Sequence, residues 1–261
     1  MTWILVAFCA VIGLVIGSFL NVVIWRVPRG ESVVSPPSSC PRCHAEIKPY
    51  DNVPVVSWLV LRGRCRSCGE PISARYPFVE ALTGLVFALL ALRFDATAQL
   101  PAYLYLGAVG VALAFIDLDT KRLPDKLTLP SYAVALVLLG IAAGVDGTWD
   151  FLLRAVLGGL ALGAFYFLLW FVYPSGMGFG DVKFAGVLGI YLGWISWGTV
   201  ALGAFTGFLL GGLVGGVMLA TKRATRKTGI PFGPFMILGA MVAILWGQPV
   251  IDWYAGFVLG T

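Results

Sequence analysis

The sequence has few charged residues for its length. Of its 261 residues only 12% are Asp, Glu, Lys or Arg, whereas 59% are hydrophobic, and the mean hydropathy is +0.90. A soluble domain of this length needs far more polar side chains to cover its surface, so the composition excludes an ordinary soluble protein. It predicts an integral membrane protein.

Two familiar signals are also missing. No basic residue precedes the first apolar run, "MTWILVAF", and no small-residue cleavage site follows it, so we expect this run to be an uncleaved span and not a secretory signal. The glycine-rich "GMGFGDVK" at 176–183 lacks the GxxxxGK[ST] spacing of a phosphate-binding loop, and its last glycine precedes an acid that would repel phosphate. The net charge of +5 indicates anionic lipid as the partner of the basic residues and predicts no nucleic acid.

Long apolar runs predict an all-α polytopic membrane protein. A spanning helix needs about 20 apolar residues, and about eight runs are candidates, of which the second and sixth are short. They lie at 3–25, 78–92, 101–118, 128–145, 151–173, 182–198, 199–220 and 232–247. We therefore expect three domains: a first transmembrane helix at 1–25, a small cytoplasmic domain at 26–77, and a seven-helix membrane domain at 78–261.

The basic residues predict the orientation of these spans. Four loops, near 26–77, 117–127, 174–183 and 221–231, contain 16 of the 18 Lys and Arg residues, and only Arg93 and Arg154 lie elsewhere. Because basic loops stay in the cytoplasm, this distribution predicts that both termini lie outside.

The loop at 26–77 carries two cysteine pairs in "SCPRCHAE" and "GRCRSCGE". Two CxxC knuckles can place four thiolates tetrahedrally around one zinc ion, and a cytoplasmic location disfavours disulfides. The sequence therefore predicts a structural, zinc-ribbon-like site formed by Cys40, Cys43, Cys65 and Cys68. Reduced cysteines or a redox pair are the alternatives, and His44 is a substitute ligand that four cysteines make unnecessary.

Two carboxylates stand out because ionisable groups at membrane depth are expensive and are functional candidates by default. Asp117 ends the third predicted span and Asp181 opens the sixth, so the predicted topology places both at the cytoplasmic edge. Two nearby carboxylates cannot both ionise cheaply, so they can share a proton and act as general base and general acid on a bound water molecule. Gly178 and Gly180 would let the backbone approach an extended ligand beside Asp181.

Three other acids have simpler explanations. Asp119 is about 200° from Asp117 around the helix, so the two cannot face the same partner. Asp125 follows Pro124 at a helix start, where capping explains it. Glu80 is expected in the first turn of the second span, where the helix dipole favours a carboxylate.

At this point the chain resembles a known family, the bacterial type IV prepilin peptidases within the GxGD group of membrane aspartic proteases. The resemblance covers nearly the whole chain. It is carried by "GSFLNVVIWRVPRGES", by the cysteine-bearing segment from "SCPRCHAE" to "YPFVEALTG", by "DLDTKRLPDKLTLP", by "GMGFGDVK" and by "PFGPF". It implies that Asp117 and Asp181 are the catalytic aspartates, that the four cysteines form the zinc-type knuckles, and that Gly178, Gly180 and Lys183 belong to the active-site loop.

The resemblance also implies a function. Such enzymes lie in the bacterial cytoplasmic membrane and cut the basic leader from type IV prepilins and pseudopilins after a glycine, at the cytoplasmic face. Many also methylate the new amino terminus with S-adenosylmethionine, an activity associated with the cysteine-bearing loop.

Other classes stay open on the sequence alone. A signal-peptide-peptidase-like protease shares GxGD chemistry, but its acids lie on consecutive spans, and two spans intervene here. A proton-coupled transporter would favour acids at the membrane midplane, whereas these lie at one edge. A purely structural membrane subunit is the remaining alternative.

Overall fold

The structure is a computed structural model that describes residues 1–174, 176–222 and 229–259. In these ranges it contains α-helices, two short 3-10 turns and two isolated antiparallel bridges, which confirms the predicted all-α fold. The helices are α1 (Thr2–Arg26), α2 (Val56–Val60), α3 (Arg75–Phe94), α4 (Leu100–Thr120), α5 (Asp125–Asp146), α6 (Trp149–Val172), α7 (Phe179–Ile195), α8 (Trp197–Ala220) and α9 (Gly233–Leu259).

Seven described helices are long and apolar enough to cross a membrane, namely α1, α3, α4, α5, α6, α8 and α9. The sixth predicted span corresponds to α7, which has only 17 residues. The chain is therefore a multi-pass membrane protein with seven such helices and one shorter, largely buried helix.

The boundary between α7 and α8 differs from the predicted one at 198/199. Ser196 has an extended backbone, and its hydroxyl accepts a hydrogen bond from the Thr199 N–H at 3.0 Å. A serine in this position caps the start of α8, so α7 ends at Ile195 and begins three residues earlier than the predicted 182.

The chain divides into two compact units, Met1–Ala112 and Leu113–Thr261, with the division inside α4. In the first unit α1 packs closely on α3. A Cβ atom added at Gly17 would lie 2.7 Å from Glu80 Cα, so the two helices touch at their backbones. The predicted domain boundaries at 25/26 and 77/78 stay predictions.

The second unit is organised around α7, most of whose residues from Asp181 onward are buried. Its C-terminal end is held by Arg154 from α6, whose guanidinium donates hydrogen bonds to the carbonyls of Gly193, Trp194 and Ile195 at 2.6–3.0 Å. The last carbonyls of an α-helix generally lack intrahelical partners, and here a fork of N–H donors binds them. This contact gives a structural reason for one of the two basic residues outside the basic loops.

Candidate active site and metal centre

Asp117 lies near the C-terminal end of α4 and is 4% exposed. Its Oδ2 atom accepts a hydrogen bond from the Gly233 N–H at 2.9 Å. Gly233 is the first residue of α9, so the carboxylate faces a helix N-terminus, where unpaired amides and the helix dipole favour negative charge.

Asp181 is the third residue of α7 and is 8% exposed. Its Oδ2 atom accepts a hydrogen bond from the Gly178 N–H at 3.1 Å, at the N-terminus of the same helix. Each buried carboxylate is thus bound to the backbone amide of a residue that starts a helix.

The structure brings the two predicted acids together. Asp117 and Asp181 lie close enough for their charges to interact. The buried Leu123, between α4 and α5, adjoins both sites: a Cβ atom at Gly180 would lie 3.1 Å from Leu123 Cβ, and one at Gly233 would lie 3.2 Å from Leu123 Cδ2. The arrangement provides two carboxyl groups that can exchange one proton.

The glycine-rich segment forms the approach to this pair. Gly178 is exposed and Gly180 is half-buried, whereas Asp181 behind them is buried. A Cβ atom added at Gly180 would lie 3.3 Å from the Leu123 carbonyl oxygen, so a side chain at this position would contact backbone. The segment therefore combines an exposed entrance with a close backbone contact.

Lys183 lies in α7 but its ammonium group is bound elsewhere. It contacts both carboxylate oxygens of Asp125 at 2.8 Å, and the Lys183 carbonyl accepts a hydrogen bond from the Tyr132 hydroxyl at 2.6 Å. These contacts join the N-terminal halves of α5 and α7. The prediction that Asp125 caps the helix is wrong, because Pro124 is the N-cap residue of α5 and no side chain makes a capping hydrogen bond there.

Asp119 is exposed, whereas Asp117 is buried, as the helical geometry predicts.

Gly233 is the site residue that sequence reasoning missed. It stands in "IPFGPF", where two prolines lack an N–H, so Phe232 and Gly233 carry the available donors. The Gly233 N–H is therefore available to an acceptor, but that acceptor, Asp117, lies 116 residues away in the sequence.

The four predicted cysteines form one cluster in the first unit. Their sulfur atoms all lie within 4.8 Å of one another, with Cys40 and Cys68 at 3.8 Å and Cys43 and Cys65 at 4.0 Å. Four thiolates bound tetrahedrally at about 2.3 Å from zinc would lie about 3.8 Å apart. The geometry fits a zinc ion, and His44 is not part of the cluster.

Two equivalent turns build this cluster. In the first, Cys40 accepts a hydrogen bond from the His44 N–H and donates to the Ala45 carbonyl, both at 3.0 Å. In the second, Cys65 accepts from the Gly69 N–H at 3.0 Å and donates to the Glu70 carbonyl at 2.8 Å. Both His44 and Gly69 have a left-handed backbone, with φ of 57° and 73°.

The surrounding backbone favours thiolate. The amides of Cys43 and Arg42 lower the pKa of the Cys40 thiol to about 6. The Glu70 amide lowers the pKa of the Cys68 thiol, but burial and hydrogen bonds with the neighbouring thiols outweigh it and raise that pKa to about 12, so the cluster retains protons that a bound cation would displace. An ion pair between Arg42 and Glu70 links the two turns.

Glu80 corrects another expectation. It is the sixth residue of α3, beyond the first turn, and is 8% exposed. Its carboxylate accepts the Val55 N–H at 2.7 Å, and its Cα lies against α1 at Gly17. Val55 has φ of 61°, which is unusual for a β-branched residue, so Glu80 holds a strained turn against α1.

Comparisons with known proteins agree with this architecture. Residues 11–94 match the model of the bacterial peptidase A24 N-terminal domain, and residues 104–243 match that of the type IV leader peptidase family. Proteins named prepilin leader peptidase/N-methyltransferase are similar over most of their length. That of Stutzerimonas stutzeri is 36% identical over 95% of this chain and 93% of its own, and that of Aeromonas hydrophila 37% over 97% and 94%. The protein of the same name from Myxococcus xanthus is 43% identical over 85% of this chain and 65% of its own. No solved structure matches the chain.

Fold and site define a multi-pass membrane protein with a buried pair of carboxyl groups and a four-cysteine cluster. The chain belongs to the type IV leader peptidase family and is a peptidase of the bacterial inner membrane. The family places it outside the transporter and structural-subunit classes that the sequence left open.

The cysteine cluster predicts a metal content. Purified protein prepared without chelators should contain about one zinc ion per chain. Cys43→Ser should lower zinc occupancy and make the loop at 26–77 sensitive to protease, because one of four ligands is lost. Elemental analysis and limited proteolysis measure both. His44→Ala and Cys9→Ala should change neither, and zinc-free wild-type protein would refute the site.

The Gly233 contact predicts a sharp effect of one methyl group. A Cβ atom at Gly233 would lie 2.9 Å from Asp117 Oδ2, so Gly233→Ala should displace the carboxylate and lower peptide cleavage at least about tenfold. Gly229→Ala is the matched control, since no atom lies within 4 Å of the added Cβ there. Equal cleavage by the two variants at equal expression would contradict the role of the contact.

Proposed function

We propose that this protein is a membrane aspartic endopeptidase that removes the basic leader of type IV prepilins and pseudopilins after a glycine, and that it methylates the new amino terminus. The observation that carries the proposal is the buried pair Asp117 and Asp181 at adjoining helix ends, in a chain of the type IV leader peptidase family. The names of the relatives supply the substrate class and the second activity.

Both termini lie outside in this proposal, and the site lies at the cytoplasmic face. The support comes from the four basic loops, which the positive-inside rule assigns to the cytoplasm. Asp117 near the end of α4 and Asp181 at the start of α7 then lie on that side. Part of the fourth basic loop, 223–228, lies outside the described residues. The orientation requires α7 to cross the membrane; its 17 residues are at the short end of the spanning range of about 17–25.

The two carboxyl groups divide the chemistry of peptide hydrolysis. The ionised group takes a proton from a bound water molecule while the water oxygen attacks the scissile carbonyl carbon. The protonated group gives its proton to the carbonyl oxygen, so the tetrahedral intermediate carries no free oxyanion. The C–N bond then breaks as the first group returns its proton to the leaving amine. The second group recovers its proton from the intermediate as the new carboxylic acid forms. No covalent intermediate is required.

The glycine-rich segment has a separate task in this mechanism. The exposed backbone around Gly178, one helical turn before Asp181, is available to an extended substrate strand. Gly180 lets the start of α7 lie against Leu123, because a Cβ atom added there would lie 3.1 Å from Leu123 Cβ. Lys183 lies two residues after Asp181, and its ammonium group is bound by Asp125 in an exposed ion pair.

The cysteine cluster would hold a structural zinc ion through Cys40, Cys43, Cys65 and Cys68. The ion supplies a crosslink between the two turns and takes no part in peptide cleavage.

S-adenosylmethionine would supply the methyl group for the second activity. The cysteine-bearing loop is the proposed location of that activity because the resemblance associates the two.

The peptidase proposal is tested at the two acids. Asp117→Ala, Asp181→Ala and the corresponding Asn variants should abolish prepilin cleavage, because an amide can neither ionise nor exchange the shared proton. The double variant should lose no more than either single one, since the two residues act as a unit. Conversion of a prepilin is measured in membranes with expression matched by immunoblot.

Two control variants accompany this test. Asp119→Asn should keep substantial activity because the side chain is exposed and points away from the pair. Asp125→Asn should also keep substantial activity, since the exposed ion pair with Lys183 contributes little stability. Near-wild-type cleavage by Asp181→Ala would falsify the pair.

The methylation proposal is tested separately. Asp117→Ala should still transfer a labelled methyl group from S-adenosylmethionine to a pre-cut pilin peptide, because the acids serve cleavage only. Wild-type enzyme that transfers no label to this peptide would remove the second activity from the proposal and leave the first intact.

A further inference from the structure

The short helix α2 shows the reverse of the side-chain pattern expected for a helix in water. Its polar groups point into the protein, since the Ser57 hydroxyl and the Trp58 indole N–H each donate to a backbone carbonyl at 3.0 Å. Its apolar side chains Val56, Leu59 and Val60 are 54–71% exposed. A helix in water buries its apolar face and exposes its polar one, so the outer face of α2 is suited to an apolar environment.

The spanning helix α3 fixes the depth at which α2 begins. α3 has 20 residues and is therefore about 30 Å long, so it needs its whole length to cross the hydrocarbon core, and its first residue, Arg75, marks the boundary. Glu80, the sixth residue of α3, lies about 7.5 Å inside that boundary. Its carboxylate accepts the Val55 N–H at 2.7 Å, so the turn that leads into α2 reaches membrane depth.

A groove beside this turn leads to the same conclusion. It has a volume of about 430 Å³ and lies between α1, α3 and residues 54–56. Its lining consists of apolar residues and one glycine, and it extends along α3 as far as Ala88. Leu85, in this lining, is 55% exposed. Val56 therefore borders an apolar space that belongs to the membrane-spanning part of the chain.

The backbone before α2 is adapted to an environment without water. Inside a bilayer each backbone N–H needs a partner from the protein, since lipid chains supply none. The Val53 N–H donates to the Ser57 hydroxyl at 3.1 Å, Pro54 has no N–H, and the Val55 N–H is bound by Glu80. Residues 53–55 thus present no free N–H to lipid. This arrangement also gives the buried Glu80 carboxylate a task.

Basic residues follow the apolar face of α2 directly. Arg62 and Arg64 are exposed, and the sequence 52–69 contains three arginines and no acid. The third arginine, Arg66, is paired with Asp51. Arg62 and Arg64 therefore place positive charge at the edge of an apolar surface, which is complementary to a bilayer with anionic headgroups.

We propose that residues 53–61 form a re-entrant segment that inserts into the bilayer leaflet at which α3 begins. The apolar face of α2 contacts acyl chains, one of which occupies the groove, and Arg62 and Arg64 bind anionic headgroups. Glu80 anchors the segment to the spanning helices. Part of the loop at 26–77 thus belongs to the membrane. The inference does not depend on the proposed catalytic activity.

A photoreactive side chain tests the insertion. p-Benzoylphenylalanine replaces Leu59 in the full-length protein, which is reconstituted in nanodiscs of phosphatidylethanolamine and phosphatidylglycerol and irradiated. Mass spectrometry should find lipid attached at position 59 with a yield severalfold above that of the same probe in place of Ser67. Ser67 is the matched control because it is also exposed but lies in the second cysteine turn. A probe at position 59 that captures no more lipid than one at position 67 overturns the proposal.

The headgroup of the attached lipid tests the charge contact. Phosphatidylglycerol should be enriched at position 59 over its share of the bilayer, because it is the anionic component. The double variant Arg62→Gln and Arg64→Gln should remove this enrichment while the total yield stays the same. Attached lipid with the composition of the bulk bilayer, in protein that keeps both arginines, would refute the contact with anionic headgroups.

The anchoring role of Glu80 is tested with the same probe at position 59. In monodisperse protein Glu80→Ala should lower the yield of attached lipid severalfold, because the Val55 N–H then lacks its acceptor. Glu80→Gln keeps an acceptor oxygen and should retain the yield. Glu46→Ala removes an exposed acid of the first cysteine turn and is the control. Equal yields from Glu80→Ala and Glu46→Ala would overturn the anchoring role.

Discussion

A carboxylate inside a bundle of membrane helices is stable only where fixed dipoles replace the water it has lost. The second unit meets this requirement with backbone amides at helix starts. Asp181 binds the amide that precedes α7, and Asp117 binds the amide that begins α9. The other features of the unit serve this contact: α6 packs closely enough to bury α7, Arg154 satisfies the far end of α7, and Leu123 fills the space between the two sites.

The acids and cysteines were predictable from sequence because their chemistry is visible in residue type and spacing. A carboxylate in an apolar run and four cysteines in two CxxC pairs have few explanations. The amide partners were not predictable, since every residue except proline carries an N–H and Gly233 lies far from Asp117 in sequence. The same holds for Val55, whose amide explains Glu80 better than the helix dipole does. The start of α8 was missed because a single capping serine interrupts a continuous apolar run. Ser175, which stands where the family resemblance would place another glycine before "GMG", lies outside the described residues.

The loop at 26–77 is held together differently from the rest of the chain. Between residues 31 and 74 the buried residues are Cys40, Ser57 and Gly63, so this segment has no apolar core of its own. Its order comes from paired turns around the cysteines, from the Trp58 N–H bound to the Ile72 carbonyl, and from Arg66, which hydrogen-bonds Asp51 and lowers the pKa of that carboxyl. Exposed ion pairs contribute little stability in water. A bound metal ion commonly replaces a missing apolar core in a segment of this size. The cluster geometry therefore indicates a stabilising role for the metal, in addition to its similarity to known zinc sites.

The charge state of the acid pair follows from opposing requirements. Helix N-termini and donated amides favour negative charge on each carboxylate, whereas burial and the neighbouring acid oppose it. If the favourable dipoles prevailed, both groups would ionise and no proton would remain for the scissile carbonyl. If burial prevailed, both would be protonated and no base would remain for the water. One charge and one proton require an environment between these limits, with a small asymmetry to place the charge. In the described residues around the pair, each acid has one amide donor. These amides oppose the effect of burial on each carboxyl group, so the pair can hold one charge and one proton between its two members.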